Sequence, residues 1–291
     1  MDRVTLASGL EVAYLDTGGR GPLAVCLHGF PDSAHTWRHL LPALRDVGYR
    51  AVAPWLRGYA PTAVPADGRY QNGAIATDAV ELHEALGGDG DAVVIGHDWG
   101  ARAANGAAAL APDRWRRVVT MAVPPAAAVA EGFLTFRQLK RSWYMFFFQH
   151  VLADFALPMD DLSFIDRLWE DWSPGYTDSA DDRRWVKEAL SSPENITAAL
   201  GYYRATLQPE TQVPELAAAE AAVAAIPPQP HLYLHGVDDG CMGVELAERA
   251  ASYLTVEGSR VELVPGTGHF LHLEAPDTVN RHIIDFLTET E

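Results

Sequence analysis

Between the apolar run Asp91-Ala92-Val93-Val94-Ile95 and the Ala-rich stretch Ala101-Arg102-Ala103-Ala104-Asn105-Gly106-Ala107 stands the pentapeptide Gly96-His97-Asp98-Trp99-Gly100. A strand followed at once by a helix, with glycine on both sides of the turn, needs a sharp reversal in which backbone packs closely on backbone. Such a turn lifts its middle side chain above the end of a parallel sheet. In the serine form, Gly-x-Ser-x-Gly, that side chain attacks acyl carbon; here the position holds Asp98. A carboxylate attacking an ester or amide would give an anhydride, whereas attack on an electrophilic sp3 carbon gives an alkyl ester that water can cleave. The residue type therefore points to epoxides, alkyl halides or close relatives. The alternative, Asp98 as a helix N-cap, does not call for two glycines.

A chain of 291 residues with 48% hydrophobic content is long enough for one large core, or for a core with an insertion. The formal net charge of −17 argues against nucleic acid or an anionic membrane surface as partner, although solubility alone accounts for such acidity. The N-terminal Met1-Asp2-Arg3-Val4-Thr5-Leu6 has no basic region followed by an apolar stretch, and the expected location is cytoplasmic. Cys26 and Cys241 stand far apart with no spacing motif, so neither a disulfide framework nor a metal is implied, and no cofactor. No apolar run is long enough to cross a bilayer. Water and a small apolar substrate are the expected partners of a monomer or homodimer.

Short β-branched runs recur at Glu11 to Leu15, Leu23 to Leu27, Arg50 to Ala53, Ala92 to Ile95, Arg117 to Ala122, Leu232 to Leu234 and Val261 to Val264. Helical patterns lie between them at Ser33 to Val47, Ala74 to Leu86, Ala101 to Leu110, Val244 to Tyr253 and Pro276 to Thr288. This alternation predicts an α/β fold with a mostly parallel sheet covered by helices on both faces, entered by an antiparallel hairpin near Val4 and Glu11. The rhythm breaks between Pro124 and Pro230, where aromatics are dense and no alternating strand is evident. We read residues 124–230 as a helical lid inserted into a core made of 1–123 and 231–291, with the Ala-rich Leu216 to Ala225 as the last lid helix or a return linker.

Three further motifs follow strands. Leu27-His28-Gly29-Phe30-Pro31 offers the Phe30 amide which, with that of Trp99, suits an oxyanion hole, or else is a tight Gly-Pro turn. Gly236-Val237-Asp238-Asp239-Gly240 offers an acid, with Asp239 preferred over Asp238 as the fourth residue of Gly-x-x-Asp. Gly266-Thr267-Gly268-His269-Phe270 offers a base in a Gly-rich loop at a strand end. The chain order is thus Asp98, Asp239, His269: nucleophile, acid, histidine.

Together with Trp37-Arg38 and Leu56-Arg57-Gly58-Tyr59, these motifs resemble the successive signatures of α/β-hydrolase-fold epoxide hydrolases over nearly the whole chain. The resemblance implies that two lid tyrosines donate to the epoxide oxygen. Tyr144 and Tyr203 fit, with Tyr202 and Tyr176 as competing donors. The chain departs from the pattern at Pro54-Trp55-Leu56-Arg57, where such enzymes often have Asp before Leu-Arg-Gly. The rival reading is a haloalkane dehalogenase, whose halide needs N–H donors: Trp99 supplies one, but Phe30 stands where a second is usual. A non-catalytic small-molecule receptor is the remote alternative. The lid's aromatics suggest a roomy apolar pocket.

Overall fold

Strands form where the β-branched runs lie. The computed structural model describes residues 1–289. In it, β1 (Asp2–Thr5), β2 (Glu11–Asp16), β3 (Leu23–Leu27), β4 (Arg50–Pro54), β5 (Val93–His97), β6 (Arg117–Met121), β7 (His231–Gly236) and β8 (Arg260–Val264) form a sheet in the order β1-β2-β4-β3-β5-β6-β7-β8. From β4 to β8 every pairing is parallel, whereas β1 and β2 form the antiparallel entry. All residues of β3, β5 and β6 are buried, as continuous apolar strands covered on both faces must be.

On one side, the helices Asn72–Ala85 and Trp99–Leu110 pack on each other; on the other, Leu40–Asp46 packs on Pro276–Thr288. The helix expected from Ser33 to Val47 is instead a 3-10 turn, Ala34–His39, followed by Leu40–Asp46. Pro42 lies in the first turn of this second helix, where its missing N–H costs no intrahelical bond. Val244 to Tyr253 likewise divides, into Val244–Ala247 and Ala250–Ser252.

Between β6 and β7 the described chain is helical, with its longest helices at Met159–Trp172, Ala180–Ala189 and Pro193–Leu207. The last helix of this excursion, Ala217–Ala224, packs on Asn72–Ala85 and Trp99–Leu110 and so completes the core layer. Gly106 and Gly73 permit that approach: a Cβ on Gly106 would lie 2.6 Å from the Val223 side chain, and one on Gly73 2.7 Å from the Glu220 nitrogen. Asn105 Nδ2 fixes the helix end by donating to the carbonyls of Val223 and Ala225. The packed face of this helix is Ala219 and Val223, and its other alanines face outward.

The loop after β4 is the platform for the lid. Arg57, buried, donates to both carboxylate oxygens of Asp78 at 2.6 and 2.5 Å and to the Arg69 carbonyl. Lid residues grip the loop's backbone: Asn195 Nδ2 donates to Gly58 O, Tyr202 Oη donates to Arg57 O, and Ala60 N–H donates to Ala189 O. Trp55, the departure noted in the sequence, packs edge-on to His35, which stacks on Trp185 of the lid helix Ala180–Ala189. At this position the chain thus spends its side chain on joining core to lid.

Three glycines hold the turn at Asp98 by close approach. A Cβ on Gly96 would lie 2.0 Å from Gly100 O, one on Gly100 2.0 Å from Leu27 O, and one on Gly29 2.4 Å from Asp98 Cβ. By contrast, Gly18 (φ +69°) has open space around it. Gly100→Ala is therefore expected to lose at least about 3 kcal/mol of stability, the upper end of overpacking costs, and Gly18→Ala about 1 kcal/mol from backbone strain alone. Urea unfolding of the two variants measures the difference.

Candidate active site

Asp98 has φ +53° and ψ −116°, a conformation that costs any residue with a Cβ and persists only when its surroundings enforce it. Its side chain does not cap the helix Trp99–Leu110; Oδ1 instead accepts the Phe30 N–H at 2.8 Å. The amide of Trp99 opens that helix, where first-turn N–H groups have no intrahelical partner. His28 pins the Phe30 loop, with Nδ1 donating to Gly29 O and Nε2 accepting from Leu56 N–H. Burial lowers the His28 pKa to about 4, which keeps the ring neutral in this role.

His269 Nε2 lies 3.7 Å from Asp98 Oδ2, and Nδ1 lies 2.9 Å from Asp239 Oδ2. Asp239 Oδ1 accepts from the Cys241 and Met242 amides, which fixes the carboxylate. Asp238, the competing acid, is exposed and has no such bond to the histidine. Burial alone would drive the His269 imidazole down. The facing Asp239 charge and hydrogen bond, with the Asp98 carboxylate 3.7 Å from Nε2, outweigh it and raise its pKa well above the ordinary value. For Asp239, burial raises the pKa, but the His269 charge and hydrogen bond prevail and lower it.

The lid also clamps both loops. Trp172 O, at the end of Met159–Trp172, accepts N–H groups from Gly240 and His269, the first adjoining Asp239. Trp169 stacks on Phe270 at 3.7 Å and donates through Nε1 to Pro31 O. Ser173 Oγ accepts from Phe270 N–H and donates to Glu274.

Tyr144 and Tyr203 are buried over Asp98, their ring centres 5.6 Å apart, and both line a cavity with Asp98 and Trp99. Burial and the Asp98 charge raise both phenols well above their ordinary values, so each keeps its proton. Tyr144 Oη contacts Cys241 Sγ at 3.2 Å. Tyr203 Oη and Trp99 Nε1 have no hydrogen-bond partner among the described residues, and their rings meet at 4.9 Å. The competitors are committed elsewhere: Tyr202 to Arg57 O, and Tyr176 to Asp182 and Arg38 at the lid's edge. The cavity holds about 60 Å³, against roughly 300–1,000 Å³ for sites that enclose drug-sized ligands. The cavity is therefore smaller than the roomy pocket expected from the aromatics, because those rings pack on one another: Phe30, Phe148 and Tyr203 meet edge to face at 5.0 to 5.6 Å.

Two features were not singled out in the sequence. Cys241 touches the Tyr144 hydroxyl and lies with Asp239 and His269, the ligand-type atoms of the three falling within 4.8 Å of one another. The carboxylate and imidazole of that trio are already joined to each other. Beneath His269, the buried Asp32, His97 and His272 form a second such set. His97 Nε2 donates to His269 O at 2.9 Å and His272 Nε2 meets Thr36 Oγ1, leaving Asp32 Oδ2, His97 Nδ1 and His272 Nδ1 without partners. Burial favours the neutral form of each: Asp32 is raised well above its ordinary value, His97 lowered to about 3, and His272 lowered well below. The only sequence signal was adjacency, as Asp32 follows His-Gly-Phe-Pro and His97 precedes Asp98.

With this geometry, the chain matches the alpha/beta hydrolase fold family over residues 22–276. The chain belongs to that family. Among its relatives within this hydrolase family, it is 28% identical to epoxide hydrolase A of Mycobacterium tuberculosis, over 100% of this chain and 98% of that one. Human epoxide hydrolase 4 is also 28% identical, over 97% of this chain and 77% of that one. A crystal structure of a candidate epoxide hydrolase from Klebsiella pneumoniae superposes with a TM-score of 0.87 at 27% identity, covering 99% of this chain and 97% of the other. The Bacillus megaterium epoxide hydrolase, at 23% identity and a TM-score of 0.82 over 99% of this chain and 100% of that one, has the same fold.

The raised His269 value contributes stability that is full below about pH 6.5, the unfolded value, and is lost as pH rises through the folded value. The lowered Asp239 value contributes above about pH 3.9 and is lost as pH falls through its folded value. Nitrogen NMR of the free protein is expected to show His269 protonated on both ring nitrogens at neutral pH, and Asp239→Asn to lower its pKa. A ring that titrates below about 6.5 in the unsubstituted protein contradicts this electrostatic arrangement.

Proposed function

We propose that this α/β hydrolase is an epoxide hydrolase that opens an apolar epoxide to a vicinal diol through an ester on Asp98. The observation that carries the reading is the setting of the Asp98 carboxylate: one oxygen on the Phe30 amide, the other 3.7 Å from His269 Nε2, with two protonated phenols in the cavity above. Serine chemistry has no use for a carboxylate here, and epoxide opening needs donors at the leaving oxygen.

Asp98 attacks a ring carbon and the C–O bond breaks, leaving an ester and an alkoxide. Tyr144 and Tyr203 donate to that oxygen as charge grows on it. Donors already oriented in a dry site lower the barrier most. Esterification removes one of the two carboxylates that support the His269 cation. Its pKa then falls, and the proton it gives up matches the one the alkoxide takes. Neutral His269, still held by Asp239, removes a proton from water, which adds to the ester carbonyl while the Phe30 and Trp99 amides take the oxyanion. Collapse releases diol, Asp98 carboxylate and protonated His269, so the cycle balances.

The dehalogenase reading has one indole N–H in the cavity, from Trp99. Trp169 is committed to Pro31 O, and Trp143 is half exposed on the lid surface. A receptor without turnover has no need of a histidine held between two carboxylates.

Incubation with styrene oxide and with 1-bromobutane in parallel is expected to give diol and no bromide. Asp98→Ala is expected to abolish diol formation, and His269→Gln to accumulate protein heavier by one substrate on the Asp98 peptide. Tyr203→Phe is expected to lower kcat by about 100-fold or more, the usual cost of one oxyanion donor. Bromide release that depends on Asp98 would move the function to dehalogenation.

A further inference from the structure

Thirteen large hydrophobic side chains are exposed among the described residues, and eight of them lie between Leu134 and Met159. They include every exposed Phe and Trp, with Phe136 at 85% and Phe155 at 67% exposure. Residues 133–153 contain no Asp or Glu, in a chain with 39 of them, yet contain Arg137, Lys140 and Arg141. Arg137 and Arg141 share Glu245, and Lys140, exposed, has no ion pair among the described residues. The whole-chain charge of −17, which argues against a membrane surface, therefore does not describe this segment.

The short helices Phe136–Arg141, Trp143–Phe147 and Leu152–Ala156 carry five of these eight side chains outward, while Tyr144 and Met145 of the second line the cavity beside Asp98. Ring contacts run from surface to site: Trp143 to Phe147, Phe147 to Phe148, and Phe148 to Tyr203. Exposed Phe146 meets Phe133, which lines the cavity. Aromatic and aliphatic tips beside lysine and arginine are the composition that lies well at a lipid–water boundary, with rings in the acyl region and cations among the headgroups. Lys140, which has no ion pair among the described residues, finds its counter-charge in anionic headgroups, whereas residues 133–153 of a second copy would offer it no acid.

We propose that the lid segment 133–159 seats this protein reversibly on a phospholipid surface, from which apolar substrate enters the cavity. The seating stands on the exposed segment alone. Substrate entry rests on the epoxide hydrolase reading, and the closed 60 Å³ cavity requires the same wall to part for it.

The test is sedimentation of the full chain with mixed phosphatidylcholine and phosphatidylglycerol vesicles, beside a Phe136→Asp/Phe155→Asp variant. The protein is expected to pellet with the vesicles, and the variant to lose at least tenfold in partition while keeping its melting temperature. With an epoxide dissolved in the vesicles, the variant is expected to lose rate in proportion, but to match the parent on a water-soluble epoxide. Parent protein that stays in the supernatant, or a variant that pellets equally, overturns the proposal. So does a dimer in sedimentation velocity that the variant abolishes while vesicles bind neither form, since that gives the patch to a second copy. If vesicles bind but neither form turns over epoxide, the seating stands and the catalytic reading fails.

Discussion

The backbone at Asp98 is the constraint on which the rest depends. A residue with a Cβ sits at φ +53°, and it does so because Gly96, Gly100 and Gly29 let β5, the helix after it and the Phe30 loop approach within distances that no side chain allows. That strain is kept by the surrounding core. It turns the carboxylate away from its own helix, toward the Phe30 amide and His269. The same placement puts one negative charge opposite a second, Asp239, with the imidazole between them. On the proposed mechanism, a cation supported by both carboxylates becomes a base when one of them is esterified. On that proposal, the first chemical step prepares the second through the charges around one imidazole.

The lid does more than cover the site. Its helix Met159–Trp172 ends in a carbonyl that holds the backbone beside the acid and the backbone of the base, and Trp169 stacks on the residue after His269. The loop after β4, braced by the buried Arg57–Asp78 pair, holds the other long lid helices through its own main chain, which accepts from Asn195 and Tyr202 and donates to Ala189 O. A buried pair of this kind is weak evidence of net stability but specifies geometry well. The loops of Asp239 and His269 are thus held by three contacts from one lid helix, while the segment that contributes Phe133, Tyr144 and Met145 to the cavity presents apolar rings to solvent.

Much of this was legible in the sequence. The parallel sheet followed from β-branched runs separated by helical patterns, and the elbow from two glycines around Asp98. The preference for Asp239 over Asp238 came from spacing after the strand, and β7 ends where that count requires. What could not be read had physical causes. The Ala-rich run at 217–224 was ambiguous because alanine suits both a linker and a tight helix packing, and only the facing Gly73 and Gly106 distinguish them. Tyr144, Tyr202, Tyr203 and Tyr176 are alike in composition and differ only in which backbone or side-chain group each hydroxyl meets. Aromatic abundance implied a wide pocket, yet edge-to-face packing consumed the space. Whole-chain charge hid a basic, acid-free stretch in the lid. Asp32, His97 and His272 are far apart in sequence, and nothing but the fold brings them together beneath His269.

The central claim is that Asp98 itself bonds to the substrate, and isotope tracing reads this directly. A single turnover of styrene oxide by excess protein in 18O-labelled water is predicted to give diol without label from that turnover and to leave the label in the Asp98 carboxylate, found by mass spectrometry of its peptide. Label in the first-turnover diol, with none on Asp98, would mean that water attacks the epoxide directly and would contradict the account.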